Sequence, residues 1–395
     1  MVILDYPYIS QEMCARLAER RTPVLRNPAS EACALNFDLH LLDEKSFVAA
    51  LRDGAKLYLN SENALDWVMK NDPDSDRIRG IGLMKDKHAL RETLRPMYPG
   101  YQFSQHRFEQ LGDINAATLR FPLVLKPSVG FFSVGVFVIH NQDEWDRAVK
   151  VLAEKWPIWK DSFPAGVVGD LFFSIEDYIV GDEYAVDAYY DESGKAVVLN
   201  VMHHKFADAA DVRDRLYCTY TDAMPSWAEE FAVYLNQAGE YLKLRNFPFH
   251  MELRVTDDSQ SNRIIPIEFN PLRFAGCCTT DLARHAYGVS TWLSFLDGDK
   301  PDWNEISRRN ANQCFSLIML DKPENGHDGM EFNYDEFSKR LTEMLETRAF
   351  GPESSAFGYV FARTPGDKLD ELDAVLHSDL TEFLRPAAKE ASARR

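Results

Sequence analysis

No stretch of this 395-residue chain approaches the ~20 consecutive apolar residues that a membrane-crossing helix needs, and its first residues do not run from basic to apolar. Membrane insertion and secretion are therefore not expected. Cysteine is sparse. Cys14, Cys33, Cys218, Cys277, Cys278 and Cys314 form no C-x-x-C pair and no zinc spacing, the adjacent Cys277 and Cys278 read as small buried residues, and the pattern suits a reducing cytoplasm. Positive charge is in deficit: 44 Lys and Arg against 62 Asp and Glu leave a net charge of −18, which excludes a generally basic nucleic-acid or membrane surface. No G-x-G-x-x-G follows the first apolar run, so a dinucleotide site has no support, and there is no internal repeat.

What is present is the composition of a folded globular chain, 45% hydrophobic and 27% charged, long enough for two or three domains. Residues 1–85 alternate short apolar runs with amphipathic patterns such as SQEMCARLAERR, which predicts a small α/β unit. Residues 85–97, KDKHALRETLRPM, read as a helix that Pro96 should end, and the chain from about 100 to 300 then carries β-branched and aromatic runs bounded by turn residues. Residues 301–395 read as strand (QCFSLIMLD), helix (DEFSKRLTEMLETR), strand (AFGYVFART) and helix (DELDAVLHSDLTEFL), a compact two-layer unit. The fold class expected is α/β (α+β).

Residues 121–139 hold two strand-like runs around a turn that carries Ser128, Gly130, Ser133 and Gly135, with Lys126 ending the first run. Backbone amides of such a loop can converge on phosphate oxygens while the lysine supplies charge, although an ordinary hairpin with a solvent-facing lysine has the same pattern. A P-loop is rejected because Val136 stands where that motif needs its lysine. The helix that follows starts at Asn141, with Glu144 three residues on, and buries Trp145, Ala148, Leu152 and Trp156. In residues 171–190, Glu176 and Glu183 flank a bend at Gly181, either as a purine and ribose site or as solvated acids near a turn. His203 and His204 are adjacent and so point to opposite faces of a strand, which rules out a shared metal, and Lys205 follows them.

The sharpest constellation is FHMELRV (249–255) followed by IIPIEFNPLRFAG (264–276). In a strand His250, Glu252 and Arg254 share a face, as do Glu268 and Asn270. An ionised carboxylate inside an apolar strand is costly unless it is paired or bound to a metal. Two carboxylates and an amide oxygen make a hard-oxygen set suited to Mg²⁺; an internal salt bridge, such as Glu268 with Arg254 or Arg273, is the competing assignment.

Taken in order, these segments resemble the ATP-grasp superfamily of carboxylate–amine ligases over residues 80–295. The resemblance implies an ATP-grasp core over 86–300 between an N-terminal pre-ATP-grasp-like domain (1–85) and a C-terminal α/β unit (301–395). It implies nucleotide contacts from Lys87 and Lys126, a phosphate loop with Ser128, Gly130, Ser133 and Gly135, adenine held by Glu176, Asp177, Tyr178 and Ile179, and ribose held by Glu183. Magnesium, or Mn²⁺ in its place, would be held by Glu252, Glu268 and Asn270, and Arg273, Arg254 and Lys205 would serve the substrates. Two departures stand out: Phe131 and Phe132 replace small residues of the loop, and Leu272 separates Pro271 from Arg273. The activity implied is formation of an acyl phosphate from ATP and a small-molecule carboxylate, followed by attack of an amine; a non-catalytic ATP sensor and a small-molecule kinase are the alternatives. No nucleic-acid or membrane partner is implied, and a homodimer is compatible. The polar segment 205–225, with Arg213 and Arg215, would cover the substrates or form a plain surface loop.

Overall fold

The computed structural model describes residues 1–128, 135–159, 172–208, 211, 213–256, 263–323, 329–351 and 354–387. The first apolar runs pair as a parallel sheet in the order Leu41–Leu42, Val24–Leu25, Val2–Ile3, Tyr58–Leu59. Its helices Gln11–Glu19, Pro28–Ala34 and Glu44–Arg52 each start where a polar side chain, Ser10, Asn27 or Asp43, accepts an otherwise orphaned backbone N–H. Met13, Cys14 and Leu17 form the buried stripe of the first helix.

A second, antiparallel sheet runs Phe103–Arg107, Phe172–Asp177, Leu123–Pro127, Phe137–Ile139. The helix Gln142–Trp159 covers it and buries Trp145, Ala148, Leu152 and Trp156 against Phe173 and Leu125, as the periodicity predicts. Asn141 and Glu144 cap that helix, Asn141 Oδ1 accepting from the Glu144 N–H at 3.0 Å.

The largest sheet has eight antiparallel strands in the order Ile264–Pro271, Phe247–Val255, Asp182–Tyr190, Ala196–Lys205, Leu216–Tyr220, Gln313–Asp321, Ala356–Pro365, Glu343–Ala349. The helix Met224–Leu242 lies on one face, where Tyr190 donates to the Leu235 carbonyl at 2.9 Å. Among the described residues no helix is long and apolar enough to cross a membrane.

Two local expectations are corrected. DEFSKRLTEMLETR is not one helix: a short helix, Tyr334–Ser338, gives way to the strand Glu343–Ala349, because pairing with Ala356–Pro365 outweighs the weak helical preference of these residues. Segment 205–225 is not a plain excursion either. Leu216–Tyr220 is an inner strand of the large sheet, Arg215 is buried and donates to the Ser378 carbonyl at 2.8 Å, and Arg213 pairs with Asp211 at 2.7 Å.

Candidate functional site

The small and large antiparallel sheets are joined through the turn between Phe172–Asp177 and Asp182–Tyr190, and charged residues gather there. Gly181 makes the turn possible. Its φ is +148°, and a Cβ at this position would lie 2.2 Å from the Val255 carbonyl oxygen.

Glu176, 2% exposed, is the centre of one cluster. Its Oε2 accepts from Arg91 Nη2 (3.0 Å) and Nε (3.2 Å), from Lys126 Nζ (3.0 Å) and from the Tyr101 hydroxyl (2.9 Å), and its Oε1 accepts from Ser174 Oγ at 2.9 Å. Burial would raise this carboxyl, but Arg91 and Lys126 outweigh it and hold it well below the usual range. Lys126 behaves oppositely. Burial, with the neighbouring charges of Arg91 and Lys87, lowers its ammonium to about 8 despite the shared carboxylate. One carboxylate divided between two buried cations leaves a net positive charge. Arg91 lies one turn beyond Lys87 on the helix Lys87–Leu94, which Asp86 caps, and also donates to the Pro266 carbonyl, so it ties that helix to both sheets.

Arg91, rather than Lys87, therefore stands beside Lys126. The two residues are four apart and share a helical face, and the fold decides which of them meets Glu176. Because all its donors are internal, Glu176 supports the turn. Asp177 accepts from the Gln102 N–H at 2.9 Å, Tyr178 donates its N–H to the Pro122 carbonyl at 3.2 Å, and the Ile179 carbonyl accepts from Arg254 Nη1 at 2.7 Å.

Strand register builds the next contact. Glu183 is paired across the sheet with Arg254 on one side and His204 on the other. Its carboxylate meets Arg254 Nε at 3.1 Å and His204 Nδ1 at 3.0 Å; these partners overcome burial and lower its pKa. Arg254 also lies over the Tyr178 ring, 5.3 Å from its centroid, and so acts as a strut for the turn. Lys205 is turned away: alternation puts it with His203, which stacks on Tyr184, on the face opposite the Glu183–His204 pair.

Glu252 and Glu268 are register partners, as are His250 and Asn270. Asn270 Nδ2 donates to Glu268 Oε1 at 3.1 Å, and Lys87 Nζ lies 2.7 Å from Glu268 Oε2. Burial would raise both carboxyls. Lys87 reverses this for Glu268, which ends below the usual range, whereas Glu252 ends above it, pushed further by Glu268. His250 lies 3.7 Å from Glu252 and donates through Nδ1 to Asp187 at 2.8 Å; burial would lower it, but these acids raise it to about 9. Asp187, fully buried, also accepts from the Ala275 N–H (2.9 Å) and Thr280 Oγ1 (2.6 Å).

Glu268 does form an internal salt bridge, but with Lys87 rather than with Arg254 or Arg273, which pair with Glu183 and Glu62. Arg273 meets Glu62 of the N-terminal unit at 3.0 Å, and Lys85 pairs with the same carboxylate. Leu272 makes this reach possible at φ 60°, its N–H donating to Pro248 and its carbonyl accepting from the Leu59 N–H. Ser128 is buried: its hydroxyl accepts from Gln105 Nε2 at 3.0 Å and its carbonyl from the Lys87 N–H at 3.1 Å. Gly135 has φ 77° and is buried, whereas Gly130 and Ser133, with Phe131 and Phe132, lie outside the described residues.

Two facing carboxylates with an amide oxygen between neighbouring strands fit a hard divalent cation, and the lysine already drawn to them shows that the set calls for positive charge. No group of three His, Cys, Asp or Glu able to hold a metal occurs among the described residues, so Asn270 and non-protein oxygens would have to complete the shell.

Residues 119–281 match the family model described as the ATP-grasp domain. This chain contains an ATP-grasp domain. The whole chain has the ATP-grasp fold. It is similar to the L-amino acid ligase of Bacillus licheniformis (15% identity, TM-score 0.62, 98% of each chain covered). It is also similar to the N5-carboxyaminoimidazole ribonucleotide synthetase of Thermotoga maritima (13% identity, TM-score 0.62, 98% of this chain and 99% of that one). A third similar structure is the biotin carboxylase domain dimer of the Hydrogenobacter thermophilus 2-oxoglutarate carboxylase, solved with MgADP, ADP and bicarbonate (14% identity, TM-score 0.57, 98% and 90% covered). No curated protein matches the chain by sequence.

Sequence reasoning missed Arg91, Asp187 and Glu62. Arg91 had a signal in its spacing from Lys87. Asp187 and Glu62 had none, because their partners are remote in the chain.

Proposed function

We propose that this protein is an ATP- and Mg²⁺-dependent ligase that converts a substrate carboxylate to an acyl phosphate and joins it to an amine, an amino acid among the candidates, with release of ADP and phosphate. The observation that carries the reading is the buried trio Arg91, Lys126 and Glu176, whose excess positive charge borders the cation-seeking set Glu252, Glu268 and Asn270. A buried, unbalanced cation is costly, and a polyphosphate would supply the missing negative charge.

In this reading residues 86–300 form the nucleotide and catalytic core between the units 1–85 and 301–395. Arg91 and Lys126 hold the phosphates. The backbone of Asp177, Tyr178 and Ile179 borders the adenine, with Glu176 and Arg254 as its struts, and Glu183 accepts from the ribose hydroxyls. Magnesium, held by Glu252, Glu268 and Asn270, would neutralise charge on the phosphoryl oxygens. Arg273 orients the anionic acceptor once it exchanges Glu62 for the substrate carboxylate. One carboxylate oxygen attacks the γ-phosphorus and ADP leaves; the amine nitrogen then attacks the acyl carbon and phosphate leaves. Alignment and charge neutralisation suffice, so no protein nucleophile is needed.

The test is incubation with ATP, Mg²⁺ and pools of small acids and amines, with product identification by mass. Release of ADP and phosphate only when an acid and an amine are both present supports the proposal. AMP and pyrophosphate would place the protein among adenylating enzymes, a stable phosphorylated product formed without an amine would make it a kinase, and ATP binding without turnover would make it a sensor. A homodimer, the assembly of one similar structure, is part of the proposal and is read by light scattering.

A further inference from the structure

Lys87 sits one helical turn before Arg91, yet the two cations serve different carboxylates. Arg91 shares Glu176 with Lys126, whereas the Lys87 ammonium is 2.7 Å from Glu268 Oε2. Glu268 faces Glu252 across paired strands, and Glu252 has His250 at 3.7 Å, with Lys87 acting on both carboxylates. Two facing carboxylates of like charge need a cation between or beside them, and Lys87, with a side chain 12% exposed, provides it.

The backbone of Lys87 is not free to move. It is the first residue of a helix capped by Asp86, and its N–H donates to the Ser128 carbonyl at 3.1 Å. Only the four-carbon side chain can swing, and Ser128, to which its backbone is tied, directly follows the strand that carries Lys126. An ammonium released from Glu268 would therefore stay beside the phosphate-binding cations.

We propose that Lys87 is an internal stand-in for the divalent cation: its ammonium neutralises Glu268 in the nucleotide-free protein, and it moves to the polyphosphate when Mg²⁺ takes its place. This rests on the metal assignment made under the proposed function. It predicts an order of binding. A divalent cation arriving alone must strand a poorly solvated ammonium without an anionic partner, whereas a cation arriving with a nucleotide brings that partner with it. Metal and nucleotide should therefore bind as a coupled pair, and Lys87 should be the residue that couples them.

The experiment measures Mn²⁺ binding by electron paramagnetic resonance, with melting temperature as a second readout, with and without ADP. Wild-type protein should bind Mn²⁺ weakly alone and strongly with ADP. Lys87→Met, and Lys87→Gln as a second variant should the first fail to fold, should bind Mn²⁺ alone on the order of tenfold more tightly than wild type and regain melting temperature on its addition. Adding Glu268→Gln to either variant should abolish that gain. Tight binding of Mn²⁺ alone to wild type, or no gain in either Lys87 variant, would overturn the proposal. If wild type binds Mn²⁺ with ADP and Glu268→Gln weakens that binding, the metal assignment survives such a failure; if wild type binds neither, both fall.

Discussion

The two acidic centres of the site lie on neighbouring elements and are built on opposite plans. Around Glu176 every oxygen is occupied: two cations, a phenol and a serine hydroxyl converge on one carboxylate, and the positive charge is left in excess. Glu252 and Glu268 face each other across paired strands: one is held by Lys87, and the other, 3.7 Å from His250, is raised by burial and by its neighbour. The first centre is complete in its hydrogen bonds, and its surplus positive charge is buried with it. The second is incomplete as protein and calls for a cation. A site that must bind a polyphosphate together with its metal needs both, and burial makes each imbalance count, because opposite charges in poorly solvated surroundings attract strongly.

The comparison is broken most severely at the saturated centre. Glu176→Gln would leave Arg91 and Lys126 buried around a neutral amide, so stability should fall by about 3–5 kcal/mol, read by urea unfolding. An unchanged unfolding midpoint would remove the structural role given to this carboxylate. Glu268→Gln should do the reverse. Its side chain is 27% exposed and pairs directly with Lys87, so the fold should lose much less stability than in Glu176→Gln, while turnover should fall on the order of a hundredfold through loss of an anionic metal ligand. A sharply lowered melting temperature with near-normal activity in the cold would return Glu268 to the role of a structural ion pair.

Arg91→Lys sharpens the comparison by keeping the charge and removing the fork. A lysine cannot hold Glu176 through two nitrogens and also reach the Pro266 carbonyl, so ATP affinity should drop about tenfold, measured by calorimetry. Equal affinity would mean that only charge matters at this position. The smallest effect expected is that of pH. Lys126, lowered to about 8, loses its proton as pH rises through that value, so ATP binding should weaken above pH 8. Stability moves the other way. Between about 8 and the ordinary lysine value of about 10.4 the unfolded chain holds the proton that the folded one has released, so this group adds stability as pH rises across that window. Nucleotide affinity that stays flat from pH 7 to 9 would contradict a charge role for Lys126.

Part of the site was legible in the sequence because side chains alternate along a strand, although the register shifts between Glu252 and Leu253. The shared face of His250, Glu252 and Arg254, and that of Glu268 and Asn270, follow from side-chain parity within each strand, and the cap at Asn141 with the Trp145–Trp156 stripe follows from helical spacing, whereas the register that sets Glu252 opposite Glu268 and Glu183 beside Arg254 does not. The choice between Lys87 and Arg91 was not legible. Both belong to one helix face, and which ammonium or guanidinium meets which carboxylate depends on where that helix docks. The strand Glu343–Ala349 was hidden for a related reason: its local preference is helical, and only its pairing with Ala356–Pro365 makes it extended.

By itself the sequence determined the elements and the chemical types: a chain with no membrane-spanning run, strands carrying carboxylates at fixed intervals, and lysines and arginines at the ends of elements. These follow from nearest-neighbour sterics and from side-chain period, which act over a few residues. Tertiary structure decided the partnerships. Arg273 of the strand-exit turn meets Glu62 more than two hundred positions away, and Asp187 joins His250 to the Ala275 amide and Thr280. Such contacts are set by how sheets and helices pack, since burial forces every charged group to find a partner in space and the chain order places no limit on which partner that is.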